Sequence, residues 1–328
     1  MNKIIVFHSV FHKELKDFVD YKQAIGYKYE APADLLCLLD TFFIRNNLDT
    51  KYISKELMEE WIKKRNPETI ATRNRRVSIL NQFIKYLDSV NIKSYFIPPK
   101  TIVTEPRYEA HIYTDDELNR FFKAADNCRF SRYNIHRQRM LPLFFRILYT
   151  SGLRLGELCH LTLGDINFEE SYITVYGAKN GKDRIVPIHP RLCEKCVELK
   201  NDIHMLNSKE TPFFFINTTD RPYSESFVYR VFRDILEDAN IPHTGKGPRV
   251  HDFRHTYAVN ICYNWLKDGK NLENLMEYLR TMLGHETLSA TLYYVKLISV
   301  MFPHLLEKME KNNIEIIEEV VYDEKEYE

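Results

Sequence analysis

The sequence predicts a mainly α-helical protein of two domains, with one small antiparallel β-sheet in the second domain. At 328 residues the chain is longer than a single small core usually organises, which favours two domains. Apolar residues make up 44% and charged residues 28%, so the composition excludes a disordered chain, a coiled coil and a collagen-like repeat. Helical periodicity dominates both halves, and only one segment carries a strong hairpin signal.

Residues 1–97 are predicted to form a helical domain. Apolar residues recur there at helical spacing in four stretches, which indicates a bundle of four helices. The stripes are Phe11, Leu15, Phe18 and Val19; Leu35, Leu38, Leu39 and Phe42; Leu57, Met58, Trp61 and Ile62; and Ile70, Val77, Leu80, Ile84 and Leu87. The fourth stretch also carries Arg73, Arg75 and Arg76, which suit either a phosphate-binding face or an ordinary solvated one.

A linker over residues 98–111 is predicted to separate the domains. It holds Pro98, Pro99 and Pro106 with few large apolar residues, a composition typical of an extended segment. The second domain, residues 112–305, opens at Thr114-Asp-Asp-Glu117, which has the form of a helix capping box.

The second domain is predicted to be helical around a single hairpin. Ser151-Gly152 ends one helix, and the segment from Leu153 to Leu158 resumes it. Two β-branched and apolar segments, residues 171–176 and 184–188, flank a turn whose Asn-Gly pair is a strong hairpin signal. A small antiparallel sheet follows from this pattern.

Charge is distributed unevenly along the chain. The formal net charge of zero argues at first against a nucleic-acid partner. Residues 306–328, however, hold nine acidic and three basic residues and carry −6, so that residues 1–305 carry +6. Isoleucines and valines among those acids indicate a tail that docks on another surface, such as a second copy of the chain.

The sequence also suggests a compartment. With six cysteines, no export signal and no apolar run near the roughly 20 residues of a membrane helix, we expect a cytoplasmic, nucleoid-associated protein with reduced thiols and no membrane contact. Cys193-Glu-Lys-Cys196 lacks a second ligand pair, so we expect two thiols on a helix surface and no metal site.

Two pairs of side chains suit phosphate chemistry, although each is more often structural. His251 and Arg254 stand at i, i+3 just after a Gly/Pro-rich loop, where a helix start favours anions. Arg154 and Glu157 have the same spacing at another helix start, where an ordinary ion pair is the alternative.

The order of the motifs carries more information than any one of them. Gly284-His285 has the form of a helix end followed by a polar ring, and Tyr293-Tyr294 lies shortly beyond it. The series runs Thr150-Ser-Gly-Leu-Arg154-Leu-Gly-Glu157, Gly177-Ala-Lys179-Asn-Gly-Lys182-Asp-Arg-Ile-Val-Pro-Ile188, His251-Asp-Phe-Arg254-His-Thr, Leu283-Gly-His285 and Tyr294. It resembles the catalytic domain of the tyrosine recombinases, the phage integrase family, over about residues 111–305. The helical region before it is similar to the family's core-binding (SAM-like) domain.

The resemblance implies a site-specific DNA recombinase that cuts DNA strands through a 3′-phosphotyrosyl intermediate and forms a Holliday junction. It implies Tyr294 as the nucleophile, with Arg154 and Arg254 binding the phosphate and His285 adding a hydrogen bond. The chemistry conserves bond energy, so no cofactor, ATP or metal ion is expected.

The remaining site positions follow from the same resemblance. Lys179 matches the lysine that protonates the departing 5′ oxygen, with Lys182 as its competitor on the same turn. His251 matches an acid/base or positioning residue, and Glu157 a support behind the site. Tyr293 is the alternative nucleophile, although the spacing from His285 favours Tyr294.

The resemblance also implies partners. We expect double-stranded DNA bound between the two domains, with Arg73, Arg75 and Arg76 as candidate contacts in the first. A homotetramer on two DNA sites is expected, its protomers joined through residues 306–328, with accessory DNA-bending or directionality factors as further partners.

The biological role stays open between several uses of one chemistry. Compared with compact members, the segment from Arg254 to His285 is long, which favours integration, excision or transposition of a mobile element. The alternatives are a chromosome-dimer resolving recombinase, a relaxing topoisomerase, and a catalytically inactive DNA-binding protein of the same fold.

Overall fold

The chain divides into two compact units, Met1–Arg107 and Tyr108–Glu328. The structure, a computed structural model, describes residues 5–27, 29–96, 109–128, 136–177, 183–204, 211–244 and 247–301. The predicted tail, most of the linker and the hairpin turn with Lys179 and Lys182 lie outside these ranges. The mainly helical fold with one small antiparallel sheet is confirmed.

Unit 1 is the expected bundle of four helices. They are α1 (His12–Ala24), α2 (Glu30–Arg45), α3 (Lys55–Ile62) and α4 (Ile70–Ser89). The side chains of Ser54 and Thr69 accept hydrogen bonds from the first turns of α3 and α4, which sets where these helices begin. Aromatic rings fill the centre, where Phe11, Phe18 and Phe83 are almost completely buried and pack edge to face or tilted.

One predicted DNA contact in unit 1 has a structural role instead. The guanidinium of Arg76 is buried, and its Nε and Nη2 donate to the two carboxylate oxygens of Glu68 at 2.6 and 2.7 Å. It also donates to the backbone carbonyls of Trp61 and Lys63. This burial removes Arg76 from the candidate DNA contacts, because its charge is neutralised inside the protein. Arg75 is exposed on the same helix.

We expect Arg76→Met to lower the free energy of unfolding of unit 1 by about 3–5 kcal/mol, because Glu68 would be left as an unpaired buried charge. The chain has two tryptophans, so Trp61 fluorescence in a Trp265→Phe background follows the urea unfolding of unit 1. Arg75→Met on the exposed face is the matched control. Equal midpoints for the two variants would contradict the structural role of Arg76.

Unit 2 packs eight helices around a small sheet within the described ranges. The helices are α5 (Asp115–Asp126), α6 (Arg137–Ser151), α7 (Leu155–Cys159), α8 (Pro190–Leu199), α9 (Glu225–Asp238), α10 (Asp252–Lys267), α11 (Leu272–Leu283) and α12 (Leu288–Met301). The predicted capping box at α5 is present, since Thr114 and Glu117 exchange side-chain and backbone hydrogen bonds. None of the described helices combines the length and apolar character that a membrane crossing requires.

The sheet has three antiparallel strands in chain order. They are β1 (Ile166–Asn167), β2 (Tyr172–Val175) and β3 (Arg184–Pro187), with Val175 opposite Arg184 at the turn end of the hairpin. Along β3 the burial alternates, so that Arg184 and Val186 both point inward. A buried arginine therefore lies directly beside the hairpin turn.

The expectation of surface thiols on α8 is wrong. Cys193 and Cys196 are both buried in the main core of unit 2, on the apolar face of the helix. Burial raises the pKa of Cys196 to about 12, so this thiol stays protonated and unreactive. Among the described residues, no group of three or more histidine, cysteine or acidic side chains is placed to hold a metal ion.

The turn between α6 and α7 has a glycine for a steric reason. Gly152 ends α6 with φ +63°, a left-handed conformation that side chains disfavour. A Cβ atom built there would come within 2.6 Å of the Tyr257 ring on α10. The close approach brings the start of α7 against α10, and thus brings Arg154 near Arg254.

Candidate active site

The carboxyl end of α11 forms the centre of the candidate site. Its last carbonyls lack partners within the helix and carry the negative end of the helix dipole, so they attract cations. Three consecutive carbonyl oxygens each accept a hydrogen bond from a different arginine. We call these three arginines the arginine cluster. The bonds run from Arg184 Nε to Met282 at 2.9 Å, from Arg254 Nη2 to Leu283 at 2.5 Å and from Arg154 Nη2 to Gly284 at 2.7 Å.

A single carboxylate joins two members of the arginine cluster. Glu157 accepts from the backbone N–H and Nη1 of Arg154 at 2.8 and 3.0 Å. It also accepts from Nη1 and Nη2 of Arg184 at 3.0 and 2.6 Å. Burial acts to raise the pKa of Glu157, but the hydrogen bonds and charges of the two arginines outweigh it and lower that pKa. Glu157 is therefore an ionised anchor at neutral pH.

Arg254 is the most deeply buried member of the cluster. Besides Leu283, it donates from Nη1 to the Gly152 carbonyl at 2.6 Å, so two chain segments far apart in sequence hold its guanidinium. Desolvation lowers the pKa of Arg254 to about 10, which still leaves the guanidinium charged at neutral pH.

Tyr294 on α12 lies against this guanidinium. Its side chain is buried, and burial raises its pKa to about 12, although the charge and a hydrogen bond of Arg254 act in the opposite direction. The hydroxyl is therefore protonated at neutral pH. The neighbouring Tyr293 is half-buried, with its ring centroid 5.8 Å from that of Tyr294.

Two neutral imidazoles flank Tyr294. The His285 ring stacks on the tyrosine with centroids 6.0 Å apart and planes 19° apart, and its Nδ1 lies 2.9 Å from the Thr291 hydroxyl. The His255 ring lies 5.7 Å from that of Tyr294, and its buried Nδ1 has no hydrogen-bond partner within the described ranges. Desolvation and the charge of Arg254 lower the pKa of His285 to about 2 and that of His255 to about 4.

His251 lies at the solvent side of the site, as the residue that precedes α10. Its ring centroid is 4.9 Å from that of His255. Desolvation by the surrounding protein, with the charges of His255, Arg254 and Arg154, lowers the pKa of His251. The residue is exposed, and its imidazole is neutral at neutral pH.

We expect unit 2 to lose stability as the pH falls from about 7 to 5.5. Unfolded histidines take up a proton near pH 6.5, whereas His255 and His285 do so near 4 and 2 when folded. Below pH 6.5 the unfolded state binds more protons, so the folded state is destabilised by roughly 2 kcal/mol for the two residues together. Urea unfolding followed by Trp265 fluorescence in a Trp61→Phe background measures this. His285→Gln should lose about a third of the pH dependence, because His251 and His255 also have lowered pKa values, and an unchanged slope would contradict the assignment.

The structure brings together most of the residues that the sequence singles out. The described members that meet around the end of α11 are Arg154, Glu157, His251, Arg254, His285 and Tyr294. Sequence reasoning treated Arg184 only as a strand residue and did not single out His255. The sequence could have indicated Arg184, because it stands two residues before Val186 on the predicted strand, and side chains two residues apart on a strand point to the same face.

Comparison with known proteins agrees with this geometry. The phage integrase family model matches residues 112–299. An integrase/recombinase-type homologue from Sinorhizobium fredii is 26% identical over 313 residues, covering 92% of this chain and 98% of the relative. The tyrosine recombinase XerA of Pyrococcus furiosus is 33% identical over 181 residues, covering 54% and 55%. The Tn1549 transposon integrase, solved with circular intermediate DNA, superposes with a TM-score of 0.64 at 16% identity, covering 86% and 94%.

The superposition defines the class of fold, which is that of the two-domain tyrosine recombinases. The family match over residues 112–299 spans more than half of the chain and contains the whole arginine cluster together with Tyr294. The chain belongs to the phage integrase family. Its tyrosine recombinase relatives support an activity in site-specific recombination.

Proposed function

We propose that this protein recombines DNA by transferring a strand to the hydroxyl of Tyr294. The observation that carries the proposal is the position of this hydroxyl, buried against the guanidinium of Arg254 and beside His285, within a chain of the phage integrase family. A phenol surrounded by phosphate-binding groups is suited to attack a phosphodiester.

The chemistry balances without an external reactant. The Tyr294 oxygen forms a bond to phosphorus while the bond from phosphorus to the 5′ oxygen breaks, which leaves a 3′-phosphotyrosyl bond and a free 5′-hydroxyl. The proton of Tyr294 passes to a base, for which neutral His251 is accessible, and a proton reaches the departing 5′ oxygen from Lys179. The bond energy stays in the phosphotyrosyl linkage, so neither ATP nor a metal ion takes part.

The arginines stabilise the charge that builds up on the phosphate. A guanidinium has five N–H donors, and Arg154 and Arg254 each use some of them on carbonyl or carboxylate oxygens. The remaining donors are fixed in direction by those bonds, which is the preorganisation that transition-state stabilisation requires. The Arg154 side chain is 28% exposed, so it is the guanidinium that meets solvent and substrate first.

Unit 1 supplies a candidate surface for the DNA backbone. A groove of about 510 Å³ between α2 and the end of α3 is lined by four exposed basic residues. They are Arg45, Lys63, Lys64 and Arg65. With Arg75, they replace Arg76 in the proposed DNA contact, because an accessible charge is what releases counterions from phosphates.

The proposed assembly is a tetramer on two DNA sites that passes through a Holliday junction. The Tn1549 integrase, a transposon protein solved on circular intermediate DNA, supports integration and excision of a mobile element as the biological role. A chromosome-dimer resolving role is the alternative, supported by the Xer relatives. Joining of residues 306–328 to a neighbouring protomer remains part of the proposal.

Covalent capture tests the proposal and identifies the target site in the same experiment. The chain is incubated with a randomised library of nicked duplexes, in which the short fragment that carries the free 5′-hydroxyl diffuses away after cleavage and leaves the protein trapped on DNA. We expect a denaturation-resistant adduct whose DNA converges on one sequence and whose modified peptide contains Tyr294. Retained DNA without an adduct would favour an inactive DNA-binding protein. Relaxation of supercoiled plasmid without strand exchange would favour a topoisomerase.

A further inference from the structure

Arg184 is the one member of the arginine cluster that the proposed chemistry does not use. Its side chain is only 3% exposed, so it lies beneath the site and not in contact with a substrate. It joins three elements: it begins β3, donates to the Met282 carbonyl of α11 and donates twice to Glu157 of α7. A buried charge with three such hydrogen bonds is a feature that needs an explanation.

The charges of the cluster suggest what Arg184 does. The cluster holds three guanidiniums, and the one carboxylate bonded to it, that of Glu157, contacts Arg154 and Arg184. With Arg184 present, both Glu157 oxygens accept from Arg184, and the shorter of these bonds is 2.6 Å. Without it, Arg154 would be the only guanidinium bonded to Glu157, and the pair would neutralise each other.

A neutral pair would be a poor phosphate ligand. An arginine matched to a carboxylate must separate from it, or share it, before it can bind an anion, and both cost free energy in a partly buried site. The exposed part of the Arg154 side chain can therefore bind a phosphate well only while another cation compensates the charge of Glu157.

Close packing against Gly284 fixes where the guanidinium of Arg184 lies. Gly284 has φ +66°, and a Cβ atom built on it would lie 2.9 Å from Nη1 and 3.1 Å from Cζ of Arg184. The guanidinium thus lies flat beneath the residue whose carbonyl holds Arg154 and which precedes His285. Arg184 supports the position of Arg154 from two sides, through Glu157 and through the end of α11.

We propose that Arg184 is a positioning residue for strand cleavage, which compensates the charge of Glu157 so that Arg154 stays available to the scissile phosphate. This inference rests on the proposed function. Arg184 begins β3 next to the hairpin turn. Two hydrogen bonds, from Arg184 to Glu157 and from Arg154 to Glu157, therefore link β3 to the phosphate site.

The test compares variants by single-turnover adduct formation on the nicked duplex that covalent capture selects with the wild-type chain. We expect Arg184→Met to slow adduct formation by about 10²-fold while the Kd for the same duplex changes by less than about 3-fold. Arg184→Met combined with Glu157→Gln should recover roughly 10-fold of that loss, because the uncompensated carboxylate is gone. Arg184→Lys keeps the charge without the two-pronged geometry and should give an intermediate rate; it also serves if Arg184→Met fails to fold.

A second substrate separates positioning from a merely structural role. A duplex with an uncharged methylphosphonate at the scissile position lacks the negative charge that Arg154 binds. If Arg184 acts through that charge, the slowing by Arg184→Lys should shrink to within about 3-fold on this duplex, whereas a distorted fold would slow both substrates alike. Equal slowing on both, or wild-type rates in every Arg184 variant, would overturn the inference alone. Absence of an adduct with the wild-type chain would overturn the proposed function as well.

Discussion

Tyr294→Phe is expected to abolish the covalent protein–DNA adduct, with a loss of at least ~10⁴-fold in the rate of strand cleavage, because the attacking oxygen is removed. The ring remains, so its stacking on His285 and its place in the core of α10 to α12 are retained. DNA binding should change little, since the hydroxyl is buried against Arg254 in the unbound protein. Adduct yield on a denaturing gel and Kd by mobility shift measure the two quantities.

Tyr293→Phe is the matched control for this variant. It removes the same atom from the adjacent residue, whose half-buried ring lies on the same helix. We expect Tyr293→Phe to form the adduct at close to the wild-type rate. If instead Tyr293→Phe loses the adduct and Tyr294→Phe keeps it, the nucleophile is Tyr293 and the assignment of Tyr294 is wrong.

Arg254→Lys is expected to reduce strand cleavage by roughly 10³-fold, the second-largest effect. Lysine keeps the charge, but one ammonium on a flexible stem does not reproduce a planar fork that bonds to Gly152 and Leu283 and also faces Tyr294. The thermal midpoint of unit 2 should fall as well, because two buried carbonyls lose their donors. Rate and midpoint are measured on the same preparation.

Arg120→Lys separates the catalytic part of this effect from the structural part. Arg120 lies on α5 and donates from Nη1 to two carbonyls, those of Ala239 and Asn240, at 2.8 and 2.9 Å. It is therefore another arginine of unit 2 that bridges backbone carbonyls, but one without contact to Tyr294. Its replacement should lower stability modestly and leave the cleavage rate intact. A similar loss of cleavage in both variants would argue that Arg254 serves only the fold.

Lys179 and residues 306–328 lie outside the described residues, so their roles rest on the resemblance to the phage integrase family. The boundary between the two compact units, after Arg107, falls within the linker predicted over residues 98–111.

Removal of residues 307–328 should impair the pairing of two DNA sites more than the binding of one. Unchanged recombination by the truncated chain would reject a role of the tail between protomers.

Local patterns in the sequence were sufficient to predict the main helices, the β2–β3 hairpin and the order of the motifs, but not β1. Helical periodicity predicts the four helices of unit 1, the Thr114–Glu117 capping box predicts the start of α5, and Gly152 predicts the end of α6. These features depend on neighbours within a few residues, which is why they can be read from the chain alone.

Burial and charge compensation depended on contacts between distant segments. The sequence shows three arginines along α4, but only the fold places Arg76 beside Glu68 and Trp61, inside the protein. It likewise shows Cys193 and Cys196 without revealing that the core covers both. A face of a helix is buried or exposed according to what packs on it, and helix periodicity does not specify that partner.

The sequence by itself determined the family, the two-unit helical architecture and the candidate set around Arg154, Arg254, His285 and Tyr294. Only the tertiary structure decided that Arg184 belongs with them, because it is the folding of β3 against α7 and α11 that brings its guanidinium to Glu157 and Met282. There Arg184 meets Glu157, which lies 27 positions earlier in the chain, and Met282, which lies 98 positions later. Such a meeting is a property of packing in three dimensions, where hydrogen-bond geometry and the helix dipole select the partners.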